Sequence, residues 1–169
     1  MRSASPNTRS AGYSGTPLPR KLGVKEGARV AFPSAPDDFA RTLGELPPGV
    51  ELRARARGPL DVIVFFTSAR SELARRMPRL RAALDPAGAL WIAWPKRASR
   101  VPTDLNENVV RELALANRLV DVKVAAIDET WSGLKLVIRL KDRSPVASRG
   151  GQAPVASRGG QAPAASRGG

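Results

Sequence analysis

The run Leu60-Asp61-Val62-Ile63-Val64-Phe65-Phe66-Thr67 constrains this chain more than any other stretch, because it is almost continuously apolar. A strand with one wet face alternates apolar and polar side chains. One this uniform is expected to be covered by helices on both faces, as in a parallel sheet. Leu73, Met77, Leu80 and Leu84 then recur at helical spacing between Ala69 and Leu84. The turn Asp85-Pro86-Ala87-Gly88 leads into a second buried strand, Ala89-Leu90-Trp91-Ile92-Ala93-Trp94, which ends at Pro95. These segments read as one strand, helix, strand unit. Pro78 lacks an amide proton and is expected to kink or divide the helix.

Flanking segments extend the pattern. Pro17 to Leu22 suits a short helix, Ala28 to Phe32 a first strand, and Pro36 to Leu43 another helix. After Pro47-Pro48-Gly49 the chain alternates strictly. Val50, Leu52, Ala54 and Ala56 fall on one face, and Glu51, Arg53, Arg55 and Arg57 on the other, which marks a half-exposed strand near a sheet edge. Asp104 with Glu107 three residues on is expected to cap a helix burying Leu105, Val109, Leu113 and Ala116. Val120 to Ile127 forms a further strand, and Leu134 to Leu140 a closing antiparallel one.

Composition sets limits on the chemistry. The chain of 169 residues, 42% apolar, suits a single domain with tails, and it holds neither Cys nor His. Disulfides, thiolate metal sites and histidine bases are thereby excluded, and no metal site is expected. No apolar run of about 18 residues could span a bilayer, and the first residues lack the hydrophobic stretch of a secretory signal, so the cytoplasm is the expected location and no membrane partner is expected. The net charge of +13 is spread unevenly, since Arg2, Arg9, Arg143, Arg149, Arg158 and Arg167 lie outside the span that holds all 15 acidic residues. Compositional bias toward arginine explains that charge better than an anion-binding surface does.

Three segments follow. Residues 1–11 are polar and rich in Ser, Pro and Arg, and are expected to be disordered. Residues 12–142 form the domain. From 143 to 169 a nine-residue unit, Pro-Val-Ala-Ser-Arg-Gly-Gly-Gln-Ala, recurs from Pro145 and Pro154 with a truncated copy from Pro163. Small polar repeats of this length bury no core, so a flexible tail is expected, and it lacks the aromatic residues that base stacking would use.

Leu84-Asp85-Pro86-Ala87-Gly88-Ala89-Leu90 resembles the L-x-P-G-G-x-L turn before the fifth strand of class I S-adenosylmethionine-dependent methyltransferases. Leu22-Gly23-Val24-Lys25-Glu26-Gly27-Ala28-Arg29-Val30 resembles the L-x-x-x-x-G-x-x-V approach to their first strand. Across residues 12–143 the chain also resembles a family of short bacterial proteins catalogued as a domain of unknown function, through Gly12-Tyr13-Ser14-Gly15, Trp94-Pro95-Lys96 and Thr130-Trp131-Ser132-Gly133-Leu134-Lys135. The resemblance implies a single Rossmann-like α/β domain, mostly parallel, with an antiparallel C-terminal hairpin strand. It also implies a Gly-rich loop after the first strand and an acidic residue after the second. Here the loop is Phe32-Pro33-Ser34-Ala35-Pro36, and the second strand ends Arg55-Ala56-Arg57-Gly58. The span before Leu60 is also short by about one strand and helix. A fold without the usual cofactor site is therefore expected, with no cofactor, and S-adenosylmethionine binding stands as the alternative.

In an open parallel sheet, ligands bind at the carboxyl ends of the strands. That edge gathers Tyr13, Ser34, Thr67, Trp94, Lys96, Asp128, Glu129, Trp131 and Ser132 as a candidate ligand cleft, although the tryptophans could equally cap the sheet and Asp128 could cap a turn. Three functions fit. A non-catalytic ligand-binding domain or sensor is the main reading. The first alternative is an S-adenosylmethionine-dependent methyltransferase or other small enzyme, with Lys96 as anion anchor and Asp128 or Glu129 as base. The second is an adaptor that docks nucleic acid or an acidic partner through Arg53, Arg55 and Arg57 and the outward face of Arg75, Arg76 and Arg79.

Overall fold

The computed structural model describes residues 15–143. Tyr13, the segment 1–11 and nearly all of the segment from 143 onward lie outside the described residues. The elements are α1 (Leu18–Leu22), β1 (Arg29–Ala31), α2 (Phe39–Leu43), β2 (Glu51–Arg53), β3 (Leu60–Phe66), α3 (Arg70–Ala83), β4 (Leu84–Pro95), α4 (Glu107–Ala116), β5 (Leu119–Ala126) and β6 (Trp131–Ile138).

The strands form one six-stranded sheet in the order β2-β1-β3-β4-β6-β5. β2, β1, β3 and β4 run parallel, and β6 lies antiparallel between β4 and β5. This is the Rossmann-like, mostly parallel arrangement with an antiparallel C-terminal strand that the residue pattern implies. β3 is buried along its length apart from Asp61. Its alternate side chains enter two cores: Leu60, Ile63 and Phe65 pack with Leu73, Met77 and Leu80 of α3 and Val110 and Ala114 of α4. Val62, Val64 and Phe66 pack with Leu22, Phe39, Leu43 and Trp91 on the opposite face. Each fully buried Leu, Ile or Phe stabilises the fold by about 1.5–3 kcal/mol relative to exposure, so the sheet centre dominates its stability.

Trp91 shows how closely this second face fits together. Its indole nitrogen donates to the Leu22 carbonyl at 3.0 Å. Gly133, opposite on the hairpin, leaves room for its ring, since a Cβ there would sit 3.0 Å from Trp91 Cε3 and 2.9 Å from Ile127 Cδ1.

Local differences from the sequence pattern have physical causes. The helix α3 runs unbroken through Pro78, which sits on the exposed face, where water can satisfy the carbonyl one turn earlier. Residues 85–88 belong to β4 as an irregularity: Leu60 pairs with Leu84 but Val62 pairs with Ala89. Asn106, rather than Asp104, caps α4, accepting from the Val109 amide at 2.9 Å. Asp104 instead accepts from the Arg70 amide at 2.7 Å, where its charge complements the positive end of the α3 dipole. The buried face of α4 consequently centres on Val110 and Ala114, with Val109 and Leu113 at its margin and Ala116 exposed. β2 is the edge strand its alternation suggests, yet it spans three residues only and leaves Leu52 61% exposed. Among the described residues no helix is long and apolar enough to cross a membrane.

Candidate functional site

Chain order reverses at β1: β2 flanks it on one side and β3 on the other, so the crevice expected of such a sheet opens between the carboxyl ends of β1 and β3. After β1 the chain turns through Pro33 and Ser34, and the Pro33 carbonyl accepts from the Phe66 amide at 3.2 Å. Ser34 has φ 62°, the left-handed region that favours glycine. On the other side Thr67 is buried. Its hydroxyl donates to Glu72 Oε1 at 2.6 Å and accepts from the Ala69 amide at 3.2 Å, which closes the first turn of α3 and holds a carboxylate beside the crevice. Thr103 reinforces this corner by donating to the Ser68 carbonyl at 2.6 Å.

Beyond β4 lies the hairpin corner. The Lys96 amide donates to the Thr130 carbonyl at 2.7 Å, and Asp128 Oδ1 accepts from the Thr130 and Trp131 amides at 2.8 Å each. Asp128 thus caps its own turn. Glu129 is exposed and Ser132 half-buried. Trp94 and Ser132 are register partners, but the two tryptophans lie on opposite faces: Trp94 is 6% exposed and belongs to the α3 and α4 core, whereas Trp131 packs on the other. Trp131 ends an edge-to-face ladder, Phe32 to Phe39 to Phe66 to Trp131, with centroids 5.2, 4.8 and 5.1 Å apart. Lys21, reaching the Ala126 carbonyl at 3.2 Å, has its pKa lowered by burial and then by Lys123 and Lys96.

The edge therefore divides in two. Ser34 and Thr67 flank the crevice; Lys96, Asp128, Glu129, Trp131 and Ser132 form the hairpin corner. A cleft of about 790 Å³ adjoins Ser34, lined by Pro33, Arg55, Arg57, Arg75, Arg76 and Arg79 among others. It unites two arginine rows that the sequence shows as separate surfaces. Arg53 does not line it, and pairs instead with Glu51 at 2.8 Å. Glu72, paired with Thr67, is a candidate residue that sequence reasoning missed; its signal was a Thr five residues earlier, at the entry to a helix.

No family model matches the chain, and no curated protein matches it. Solved structures do. A candidate type 11 methyltransferase from Sulfolobus solfataricus is 13% identical, with 78% of this chain and 95% of that chain covered at a TM-score of 0.52. The magnesium protoporphyrin IX methyltransferase of Synechocystis PCC 6803 with bound S-adenosylmethionine is 11% identical, covering 72% of this chain and 74% of that one at a TM-score of 0.47. An S-adenosylmethionine-dependent methyltransferase from Aquifex aeolicus is 11% identical, covering 72% and 88% at 0.46.

The chain has a methyltransferase-like fold, as its turn motifs implied. The expectation of no cofactor is corrected: it treated the fold as one without a cofactor site, and the fold is shared with a candidate methyltransferase at a TM-score of 0.52. That expectation rested on the glycine-free loop, the missing carboxylate after the second strand and the short span before Leu60; Ser34 takes up the left-handed backbone without a glycine, which answers the first of these. At 11–13% identity these structures show the fold.

Proposed function

We propose that this chain binds S-adenosylmethionine at the crevice between β1 and β3 and acts as a methyltransferase. The observation that carries the reading is the corner formed by Ser34 and the Thr67–Glu72 pair at the switch point of a methyltransferase-like sheet. The residues present fit the cofactor. The left-handed turn at Ser34 bends the backbone across the end of β1 with only a small hydroxymethyl side chain. Glu72, fixed by Thr67, offers a negative charge to a sulfonium or ammonium group. No carboxylate follows β2, so ribose hydroxyls would be held by Ser34 and backbone groups. When bound, the cofactor supplies an electrophilic methyl group. The chain's own residues orient it, and the ring ladder from Phe32 to Trp131 limits water at the edge.

Calorimetric titration of the full chain with S-adenosylhomocysteine tests the reading. Binding with Kd on the order of 10 μM is expected, weakened about tenfold by Glu72→Gln. Absence of binding at about 1 mM ligand, with the protein folded by circular dichroism, would overturn it. Binding without methyl transfer to any acceptor would leave a sensor in place of an enzyme.

A further inference from the structure

Among the described residues, no carboxylate pairs with the arginines of the cleft beside the crevice. Arg55 and Arg57 leave the end of β2, while Arg75, Arg76 and Arg79 come from one face of α3, and all five line the same hollow of about 790 Å³. None of the five forms an ion pair among the described residues, whereas Arg29, Arg53, Arg111, Arg118 and Arg139 each do. No carboxylate is among the described lining residues, and Glu72, one turn before Arg76, is engaged by Thr67. Arg75 and Arg79 stand at i and i+4, where like charges destabilise a helix. Arg76 is held in place, its guanidinium 4.9 Å from the centre of the buried Phe65 ring.

We infer that this cleft binds a small organic phosphate carrying two or more phosphate groups, and that this ligand is the methyl acceptor or part of it. Guanidinium groups match phosphate oxygens with paired donors, which lysines do not. The hollow lies within the size range of small-molecule sites. Among the described residues its lining holds no aromatic face on which an unpaired base could stack, which favours a compact phosphate over single-stranded nucleic acid. The acceptor role rests on the proposed methyltransferase activity; the phosphate site does not.

Inorganic pyrophosphate, titrated into the full chain in low salt, is the probe. Saturable binding is expected, at least tenfold weaker in the double variant Arg75→Gln/Arg79→Gln and unchanged in Arg53→Gln, whose side chain lies outside the cleft. No binding, or equal binding by the double variant, would overturn the site. A single-stranded oligonucleotide that binds wild type and is not displaced by pyrophosphate would also overturn it, in favour of nucleic acid. Repeating the S-adenosylhomocysteine titration on the double variant separates the two claims. Retained cofactor binding with lost pyrophosphate binding supports two adjoining sites, whereas pyrophosphate binding without cofactor binding in wild type sinks only the methyltransferase reading.

Discussion

The two ends of the parallel strands use arginine in opposite ways. At the amino end, the Arg29 guanidinium lies between Asp61 and Asp85, at 3.0 and 3.4 Å, and its backbone amide donates to Asp61 at 2.8 Å. Gly88 closes in on the same corner, where an added Cβ would come within 2.8 Å of the Asp61 carbonyl oxygen and 2.9 Å of that of Leu60. At the carboxyl end, five arginines converge on a hollow with no opposing carboxylate among its described lining residues. Matched charge ties β1, β3 and β4 together; unmatched charge is tolerated at a cost in stability, and that cost makes sense where a ligand brings the counter-charge.

Substitutions at either end can break this contrast. Gly88→Val is expected to have the largest effect, a loss of about 3 kcal/mol or more in urea unfolding, because the new Cβ meets backbone that cannot turn aside. Asp61→Asn keeps the shape but leaves Arg29 leaning on Asp85 alone. A loss of about 2 kcal/mol is expected, below the range for a fully buried pair because both partners retain some contact with water. Arg75→Gln/Arg79→Gln should change the unfolding free energy by no more than about 0.5 kcal/mol in either direction while weakening pyrophosphate binding. A loss of stability as large as that of Asp61→Asn would erase the distinction between the two ends.

The smallest effect sharpens the picture at the amino end. Lys135 borders the hollow there that Asp61 and Ala87 also line, and burial, then Lys123 and Lys25, lower its pKa. The folded state therefore holds this proton less tightly than the unfolded chain, and stability rises as pH climbs from the lowered folded value toward 10.5. Lys135→Met should raise the urea midpoint slightly at pH 7, and its advantage should shrink as pH approaches 10. An advantage that is constant with pH would rule out the titration of Lys135 as its source.

Much of the fold was legible because its signals are local. The unbroken apolar run of β3 and the turn before Ala89 announce a buried parallel pair, and the alternation from Val50 announces an edge. Capping at α4 was not legible. Asp104 and Asn106 are both good capping residues, and the choice was made by tertiary contacts, Thr103 to Ser68 and Asp104 to Arg70. The site was legible as an edge but not as an arrangement. Arg57 and Arg75 become neighbours only because β1 inserts between β2 and β3 and α3 lies over that side of the sheet. Likewise Trp94 and Trp131 share a strand end in sequence terms, yet their pleat positions send them to opposite faces.

The aromatic ladder gives the protein an intrinsic optical probe. Of its three tryptophans, Trp91 and Trp94 are sealed in the two cores, and their emission belongs to the folded background. Trp131 is half-buried at the strand-end rim, in edge contact with Phe66 and, through Phe39, joined to the segment that precedes Ser34. Its indole emission should report any ligand that reshapes that rim, without a label and in the native chain.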